Sequence, residues 1–265
     1  MRSDHSALLL DTRHYSESVF SSTLESPSLA REIAPGQFIM LDVPGRIRPY
    51  LRRAYSVADA EPDSGRIELL VKTIGPGTAA LEELSHSAAV SLLGPLGNGF
   101  SVDGLPRGSR VALVAGGIGA APFPLLLRAL AAAGVTSDFF FGGRTAADLA
   151  LLERFRAIVP GHILTATNDG SSGEQGFVTD LFGRRAEKAG YSRVYACGPM
   201  PMFGALAAVV SRLNLPAEFS TEAEMGCGFG ACLACVIPGT GTSFLVSCLE
   251  GPVLPPSRID WSRCR

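Results

Sequence analysis

The chain carries two hydrophobic rhythms and a short tail. Through Phe100, apolar and polar positions alternate in short runs, and Ala7–Leu10, Ser18–Leu24, Gln37–Val43, Ala54–Ala58, Ile67–Val71 and Ala89–Leu93 each read as a strand. Turn-forming groups separate them: Ala34-Pro35-Gly36, Val43-Pro44-Gly45, Pro62-Asp63-Ser64-Gly65 and Gly75-Pro76-Gly77. Short strands at this spacing predict a small antiparallel β-barrel, with a single helix over Thr78–Ser85 that Thr78 would N-cap. From Arg107 the period changes. Arg110–Ala115 is continuously apolar, as a buried parallel strand should be, and a Leu/Ala helix follows to Ala133. Strands at Asp138–Phe141, Ile163–Ala166, Arg193–Cys197 and Ala217–Ser220 then alternate with helices at Ala146–Ile158, Phe177–Ala189 and Met202–Leu213. That alternation predicts a doubly wound parallel sheet. The tail holds one hairpin, Val236-Ile237 with Phe244–Val246, turning at Gly239-Thr240-Gly241.

Composition narrows the function classes. At 265 residues, 46% hydrophobic and 18% charged, the chain has room for two cored domains and a small appendage, and disorder is not expected. The net charge is −2 and no Lys/Arg block occurs, which argues against nucleic acid as a partner. Leu8–Leu10 is too short for a secretory core, and the apolar run Ala120–Val135 is broken by Arg128 and two prolines, so no membrane span is expected. Six cysteines are too few for a disulfide framework. They point instead to metal in a reducing compartment, and a cytoplasmic protein is expected.

Four of those cysteines carry the strongest signal. Cys227, Cys232, Cys235 and Cys248 stand at C-x4-C-x2-C-x12-C, and the first three follow the plant-type [2Fe–2S] spacing. Gly226, Gly228, Gly230, Ala231 and Ala234 let the backbone curl so that amides can point at sulfur. Structural zinc ordinarily takes paired C-x2-C knuckles, and only one is present. A domain of this size needs the metal for stability. Cys264 falls outside the spacing, in a tail expected to fray, with Ile259 and Trp261 packing it down.

Three further stretches suit cofactor chemistry. Arg53 and Tyr55 alternate onto one face of a strand, where an arginine can grip phosphate and an aromatic can cover a flat ring; Ser56 follows at the turn. Gly75-Pro76-Gly77-Thr78 leads into a helix, an arrangement suited to an anion. Gly94–Phe100 either faces a cofactor or merely turns. In the α/β half, Gly116-Gly117-Ile118-Gly119 after the first strand is the phosphate-binding position of such sheets, with Pro122 suited to the first helical turn. Arg144 alone, with no basic cluster around it, leaves NAD and NADP both open and favours NAD.

Together these motifs resemble the ferredoxin–NAD(P)H reductase superfamily: R-x-Y-S, then G-x-G-T, G-P-L-G-N-G-F, G-G-I-G-x-A-P, the stretch from Asp169-Gly170-Ser171 to Gly176–Asp180, and Cys197-Gly198-Pro199-Met200. The resemblance implies an FAD site in which Arg53 binds the pyrophosphate, Tyr55 stacks on the isoalloxazine and Ser56 lies near N5, with Ala54 between them. Gly77 and Thr78 would share the pyrophosphate, and backbone groups of Leu70, Val71 and Lys72 would line the flavin. It implies an NAD(H) site with Gly117, Gly119 and Asp169, where Cys197, Gly198 and Pro199 mark the meeting of nicotinamide and flavin. With E-x-x-C-G-x-G-A-C-x-x-C…C-x-E-G-P from Glu224 to Pro252, the whole chain resembles the electron transfer subunits of NAD-dependent (class 1B) dihydroorotate dehydrogenases. It departs at Ala54-Tyr55, where that family often has proline and an aliphatic residue.

The expected organisation is therefore an FAD barrel (1–103), an NAD domain (104–216) and a [2Fe–2S] domain (217–265). The resemblance implies a relay from an FMN-containing dihydroorotate dehydrogenase catalytic subunit through [2Fe–2S] and FAD to NAD+ in pyrimidine biosynthesis, in a two-plus-two heterotetramer. Flavin–cluster subunits of sulfide dehydrogenase, hydrogenase and ferredoxin:NADP reductase complexes share nearly all these motifs. A zinc-stabilised module without redox work is the reading from another class; a flavin spectrum with a cluster shoulder discriminates against it.

Overall fold

The computed structural model describes residues 3–43 and 50–264. The first part is a closed barrel. Its strands are β1 (Ser3–His14), β2 (Val19–Glu25), β3 (Phe38–Asp42), β4 (Arg53–Glu61), β5 (Arg66–Lys72) and β6 (Ala89–Leu96), with short helices α1 (Pro27–Glu32) and α2 (Pro76–Glu82). They close antiparallel in the order β1-β2-β5-β4-β3-β6, so that the first and last strands of the sheet are joined into a barrel. Phe20, Ile39, Val57, Leu69 and Leu92 fill the interior from alternate positions of five strands. The turn expected at 43–45 lies outside the described residues apart from Val43.

Two local expectations are corrected here. Helix α2 starts at Pro76, and its N-cap is Gly75 rather than Thr78. Thr78 sits inside the first turn, where its hydroxyl accepts the amides of Ile74 (2.9 Å) and Gly75 (3.2 Å) and donates to the Gly75 carbonyl (3.0 Å). The cap is thus supplied from within the helix, because a proline at its first position has no amide to be capped. The stretch Gly94–Phe100 clasps the tail: Asn98 donates from its amide to the Gly251 carbonyl (2.6 Å) and from its side chain to the Glu250 carbonyl (2.8 Å).

The second part follows the doubly wound plan. Strands β7 (Arg110–Gly116), β8 (Thr136–Gly143), β9 (Ile163–Thr167), β10 (Glu174–Gln175), β11 (Arg193–Cys197) and β12 (Ala217–Ser220) alternate with α3 (Phe123–Ala132), α4 (Leu152–Ile158), α5 (Val178–Ala189) and α6 (Met200–Arg212). The tail adds β13 (Val236–Pro238), β14 (Phe244–Val246), α7 (Ser247–Glu250) and β15 (Val253–Leu254). The sheet runs β10-β9-β8-β7-β11-β12-β15, parallel except for β15. It therefore continues past residue 216, through both β12 and β15. Successive residues of β8 point to opposite faces: Phe139 and Phe141 pack in one core with Leu126 and Phe155, and Phe140 packs in the other with Phe182 and Phe203. The helix expected over Ala146–Ile158 is broken into a 3₁₀ turn (Ala146–Leu149) and α4.

The barrel and the sheet are locked rather than hinged. Val19, Ala58 and Leu70 of the barrel share a core with Phe139 and Leu126. Arg154 of α4 holds Glu68 of β5 through both terminal nitrogens and also donates to the Tyr15 hydroxyl (2.8 Å). Arg128 of α3 donates to Asp59 (2.6 Å) and to the Ala60 carbonyl (3.0 Å). The tail is not frayed: Trp261 packs on Phe203 and Phe219, and the Cys264 thiol donates to the Asp260 carbonyl (3.4 Å).

Candidate functional site

Strand β4 pairs with β5 only from Val57 opposite Leu69 onward. Ahead of that point β4 turns to β3, with Ser56 opposite Phe38, Tyr55 opposite Ile39 and Arg53 opposite Leu41. Leu70, Val71 and Lys72 ladder with β2 on their other side. The two strands therefore splay, and backbone groups of Leu70–Lys72 have no β4 partner across the gap. Arg53 and Tyr55 do share one face: both line a pocket with Leu41, Leu51, Gly77 and Ala80. The pocket encloses only about 10 Å³, the room of one water, so a flat ring held here lies across the open strand edge. Tyr55 is 8% exposed and its buried hydroxyl has no partner. Burial, partly offset by Arg53, pushes that phenol up to about 12. The Arg53 side chain lies over Gly77, where an added Cβ would meet its Nε at 3.0 Å, and its guanidinium donates to the Leu51 carbonyl (2.5 Å). An orphaned hydroxyl, an arginine against a glycine turn and unlaced backbone suit a flavin nucleotide. Ala54 is exposed and Ser56 half-buried beside them, whereas Leu70 and Val71 are buried side chains that could offer only backbone. The Thr78 hydroxyl is already committed to the α2 cap.

The four cysteines fall into two pairs. Cys227 and Cys232 interact directly, as do Cys235 and Cys248, and the Cys248 amide donates to the Cys235 sulfur (3.4 Å). Among the described residues no three His, Cys, Asp or Glu side chains form a site for a single metal ion. Two thiol pairs are the donor set that two irons, each with two protein sulfurs, require. Gly228 and Gly230 adopt φ of +80° and +88°, which curls the loop until the amides of Phe229 and Cys232 both reach the Cys227 sulfur at 3.5 Å. Burial alone would raise Cys227, but these amides outweigh it and bring the thiol down to about 6. Burial and the neighbouring Cys235 push Cys248 up to about 12. The loop sits on the barrel: Cys235 and Cys248 share a core with Phe38, Met40 and Leu96, and Leu51 of the flavin pocket approaches Gly226. Cys232 faces water; exposed Phe229 and Leu233 are near it in the chain, and exposed Leu249 packs against Gly230 of the same loop.

A cleft of about 630 Å³ opens at the carboxyl ends of β7, β8 and β11, where the strand order reverses. Open α/β sheets bind ligands at this switch point. Gly117, Gly119, Gly198 and Pro199 line it, with Lys72 from the barrel. The glycine loop forms a 3₁₀ turn (Gly117–Ala120), and Pro122 is the N-cap of α3 rather than a residue of its first turn. Gly119 packs on the next strand so closely that a Cβ would lie 2.4 Å from the Cys197 carbonyl oxygen. Cys197 itself is 2% exposed, behind that glycine, and burial followed by the charge of Glu222 holds its thiol well above the usual range. It stays a neutral thiol. Asp169 lies outside the lining: its carboxylate accepts the Ser171 amide (3.0 Å) and hydroxyl (2.6 Å), and Asn168 lines the cleft instead.

Some lining residues escape sequence reasoning. Asp148 accepts from the Lys72 ammonium (3.1 Å) and the Arg144 amide (3.0 Å), which hold its carboxyl below the usual range against the opposing effect of burial. Glu222, just after β12, and the exposed Phe177 also line the cleft. Asp148, four residues after Arg144, left one sequence trace, the spacing of an ion pair, and Phe177 lies within the Gly176–Asp180 motif, whereas Glu222 left none.

Comparison with known proteins agrees with each region. Residues 9–100 match the oxidoreductase FAD-binding domain, 113–207 the oxidoreductase NAD-binding domain, and 222–260 the iron–sulfur cluster binding domain of dihydroorotate dehydrogenase B. Solved structures with the same fold include that of an NADH-dependent reduced ferredoxin-NADP oxidoreductase (TM-score 0.85, 27% identity, 96% of this chain and 90% of that one). Another is the ferredoxin reductase of a carbazole 1,9a-dioxygenase (TM-score 0.70, 22% identity, 82% of this chain and 69% of that one). Among curated relatives, the dihydroorotate dehydrogenase B (NAD(+)) electron transfer subunit of Bacillus caldolyticus is 38% identical over 91% of this chain and 92% of its own length. That of Lysinibacillus sphaericus (strain C3-41) is 34% identical over 95% and 96%. At this identity over nearly the full length of both partners, the chain belongs to the family of electron transfer subunits of dihydroorotate dehydrogenase B (NAD(+)).

Proposed function

We propose that this chain carries electrons from a dihydroorotate-oxidising partner to NAD+. When bound, the cluster carries single electrons, FAD handles one or two, and NAD+ accepts only a hydride, so the three together convert one currency into the other. The chain's own residues hold and align them. Arg53, Tyr55 and Gly77, with the free backbone of Leu70–Lys72, would cradle FAD, and the two cysteine pairs would hold the two irons. Gly117, Gly119, Gly198 and Pro199 would receive the nicotinamide nucleotide. The observation that carries the reading is the shared wall: the cysteine loop packs on β3 and β6 of the same barrel whose β4–β5 gap opens the flavin site.

Asp148 supports NAD over NADP. It lies 3.5 Å from the Arg144 guanidinium, and a carboxylate there would repel a 2′-phosphate. The exposed apolar residues beside Cys232 support docking of an FMN-containing catalytic subunit over the cluster loop, in a two-plus-two assembly. Co-purification checks this: the expected companion oxidises dihydroorotate, and the pair reduces NAD+ with that substrate. Recovery of a different flavoprotein, or a stable pair without that activity, would reject it.

A second reading has one observation in its favour, the 0.85 TM-score to the NADH-dependent reduced ferredoxin-NADP oxidoreductase. Under it the companion would exchange electrons between ferredoxin and NADP rather than oxidise dihydroorotate.

Arg53→Ala tests the flavin assignment. A charge-assisted phosphate contact contributes about 1.5–3 kcal/mol, so FAD affinity should fall roughly 10- to 100-fold. Flavin content after dialysis measures it, and full retention would reject the role.

A further inference from the structure

We propose that Glu222 makes the cleft discriminate between the two redox states of the nicotinamide, holding NAD+ more tightly than NADH. This rests on the reading that the cleft takes the nucleotide with its nicotinamide toward the end of β11. NAD+ and NADH have nearly the same shape, and the ring of the first carries one positive charge that the second lacks. A single unpaired carboxylate beside the ring is therefore enough to tell them apart.

Glu222 is held in position by its own backbone. Ser220, two residues earlier, pairs with Cys197 across β12 and β11. The amide and hydroxyl of Thr221 both donate to the Pro252 carbonyl, each at 2.9 Å, and Val253 pairs with Ser220 on the far side. The next side chain, Glu222, lines the same cleft as Gly119, Gly198 and Pro199. Its charge reaches the Cys197 thiol directly behind them.

The carboxylate is also uncompensated. Among the described residues nothing donates a hydrogen bond or ion pair to it, while the other charges of the cleft are largely engaged. Lys72 and Arg144 are both drawn to Asp148, and Asp180 at the start of α5 adds a further negative charge. Glu222 is open to water through the mouth but enclosed elsewhere, and that enclosure raises its carboxyl. An anion lining the cleft without a partner is a site suited to a cation. Once hydride arrives, the ring loses its charge and the attraction ends, so the same residue favours release of NADH.

The test uses the FAD- and cluster-loaded protein, wild type and Glu222→Gln, at low salt and mildly alkaline pH, where the carboxyl is ionised. Calorimetry measures binding of NAD+ and of 1,4,5,6-tetrahydro-NAD, a neutral mimic of NADH that cannot donate hydride. Glutamine keeps the shape and breaks no hydrogen bond, and the visible spectrum checks that both cofactors remain. Expected is a roughly 5- to 50-fold loss of NAD+ affinity with the neutral mimic changed less than about twofold. Glu222→Asp, which keeps the charge, should retain part of the preference. An equal change for both ligands, or none for NAD+, overturns the proposal. Failure of the wild type to bind either nucleotide overturns the cleft assignment and this proposal with it.

Discussion

Replacing Cys232 with serine should stop electrons from reaching or leaving the partner while FAD stays bound and NADH still reduces it. Cys232 pairs with Cys227 and its amide also steadies the Cys227 sulfur, so one half of the donor set depends on it. A serine hydroxyl is a harder, shorter and less acidic ligand than a thiol, unsuited to iron in this set. The barrel does not lean on this residue. The contacts joining the loop to β3 and β6 include those of Cys235, Cys248 and Gly228 but not of Cys232, which is exposed. Loss of cluster without loss of flavin is therefore the expected split. Iron and sulfide analysis, with the visible spectrum, measures the first. Anaerobic bleaching of the flavin by NADH measures the second. Transfer between NADH and the partner should fall by at least roughly 100-fold, the upper range for disturbing residues that merely support a metal ligand. Retained cluster would remove Cys232 from the ligand set, and equal loss of flavin reduction by NADH and of transfer to the partner would contradict the order of carriers.

Gly119→Val should cripple nucleotide binding and weaken the fold at once. The added Cβ would lie 2.4 Å from the Cys197 carbonyl oxygen, 2.6 Å from its carbon and 2.7 Å from the Gly198 Cα. All three are backbone atoms of the central sheet and its first turn, so none can rotate aside. The glycine loop must move instead, and the space open to it is the cleft. Overpacking of this kind costs about 1–3 kcal/mol, and the displaced loop should raise the Michaelis constant for NADH more than tenfold. Gly117→Ala separates the two causes. Gly117 has φ of +54° but no atom within 4 Å of the added methyl, so only about 1–2 kcal/mol of backbone strain is expected there. Thermal unfolding and NADH kinetics on both variants decide it. A Gly119→Val protein with an unaltered Michaelis constant would reject the loop's role.

The fold was legible where a side-chain period had one physical cause. Barrel strands alternated because one face is interior, and β7 ran apolar throughout because helices cover both faces of the parallel sheet. Ends were less legible. Thr78 looked like a cap because threonine usually is one, but Pro76 had already opened the helix. Asp169 looked like a ligand because its neighbours match a nucleotide-binding stretch, yet its carboxylate closes its own turn on Ser171. Tail order depended on Trp261 reaching Phe203 and Phe219, both more than forty positions away, in one three-ring cluster that no local pattern encodes.

The sequence by itself determined the metal chemistry, the sheet class and the family. Each is written in spacing that local geometry imposes: cysteines that must share one loop, glycines that must turn beside phosphate, strands that must hide two faces. Only the tertiary structure decided that Cys227 pairs with Cys232 and Cys235 with Cys248, that the cysteine loop shares a core with the flavin barrel, and that Gly94–Phe100 clasps the tail. It alone brought Lys72, Asp148 and Glu222 to one cleft from three separated stretches of chain. The physical reason is that Coulomb interaction and burial act through space, so a carboxylate's surroundings depend on which distant elements the packing brings beside it.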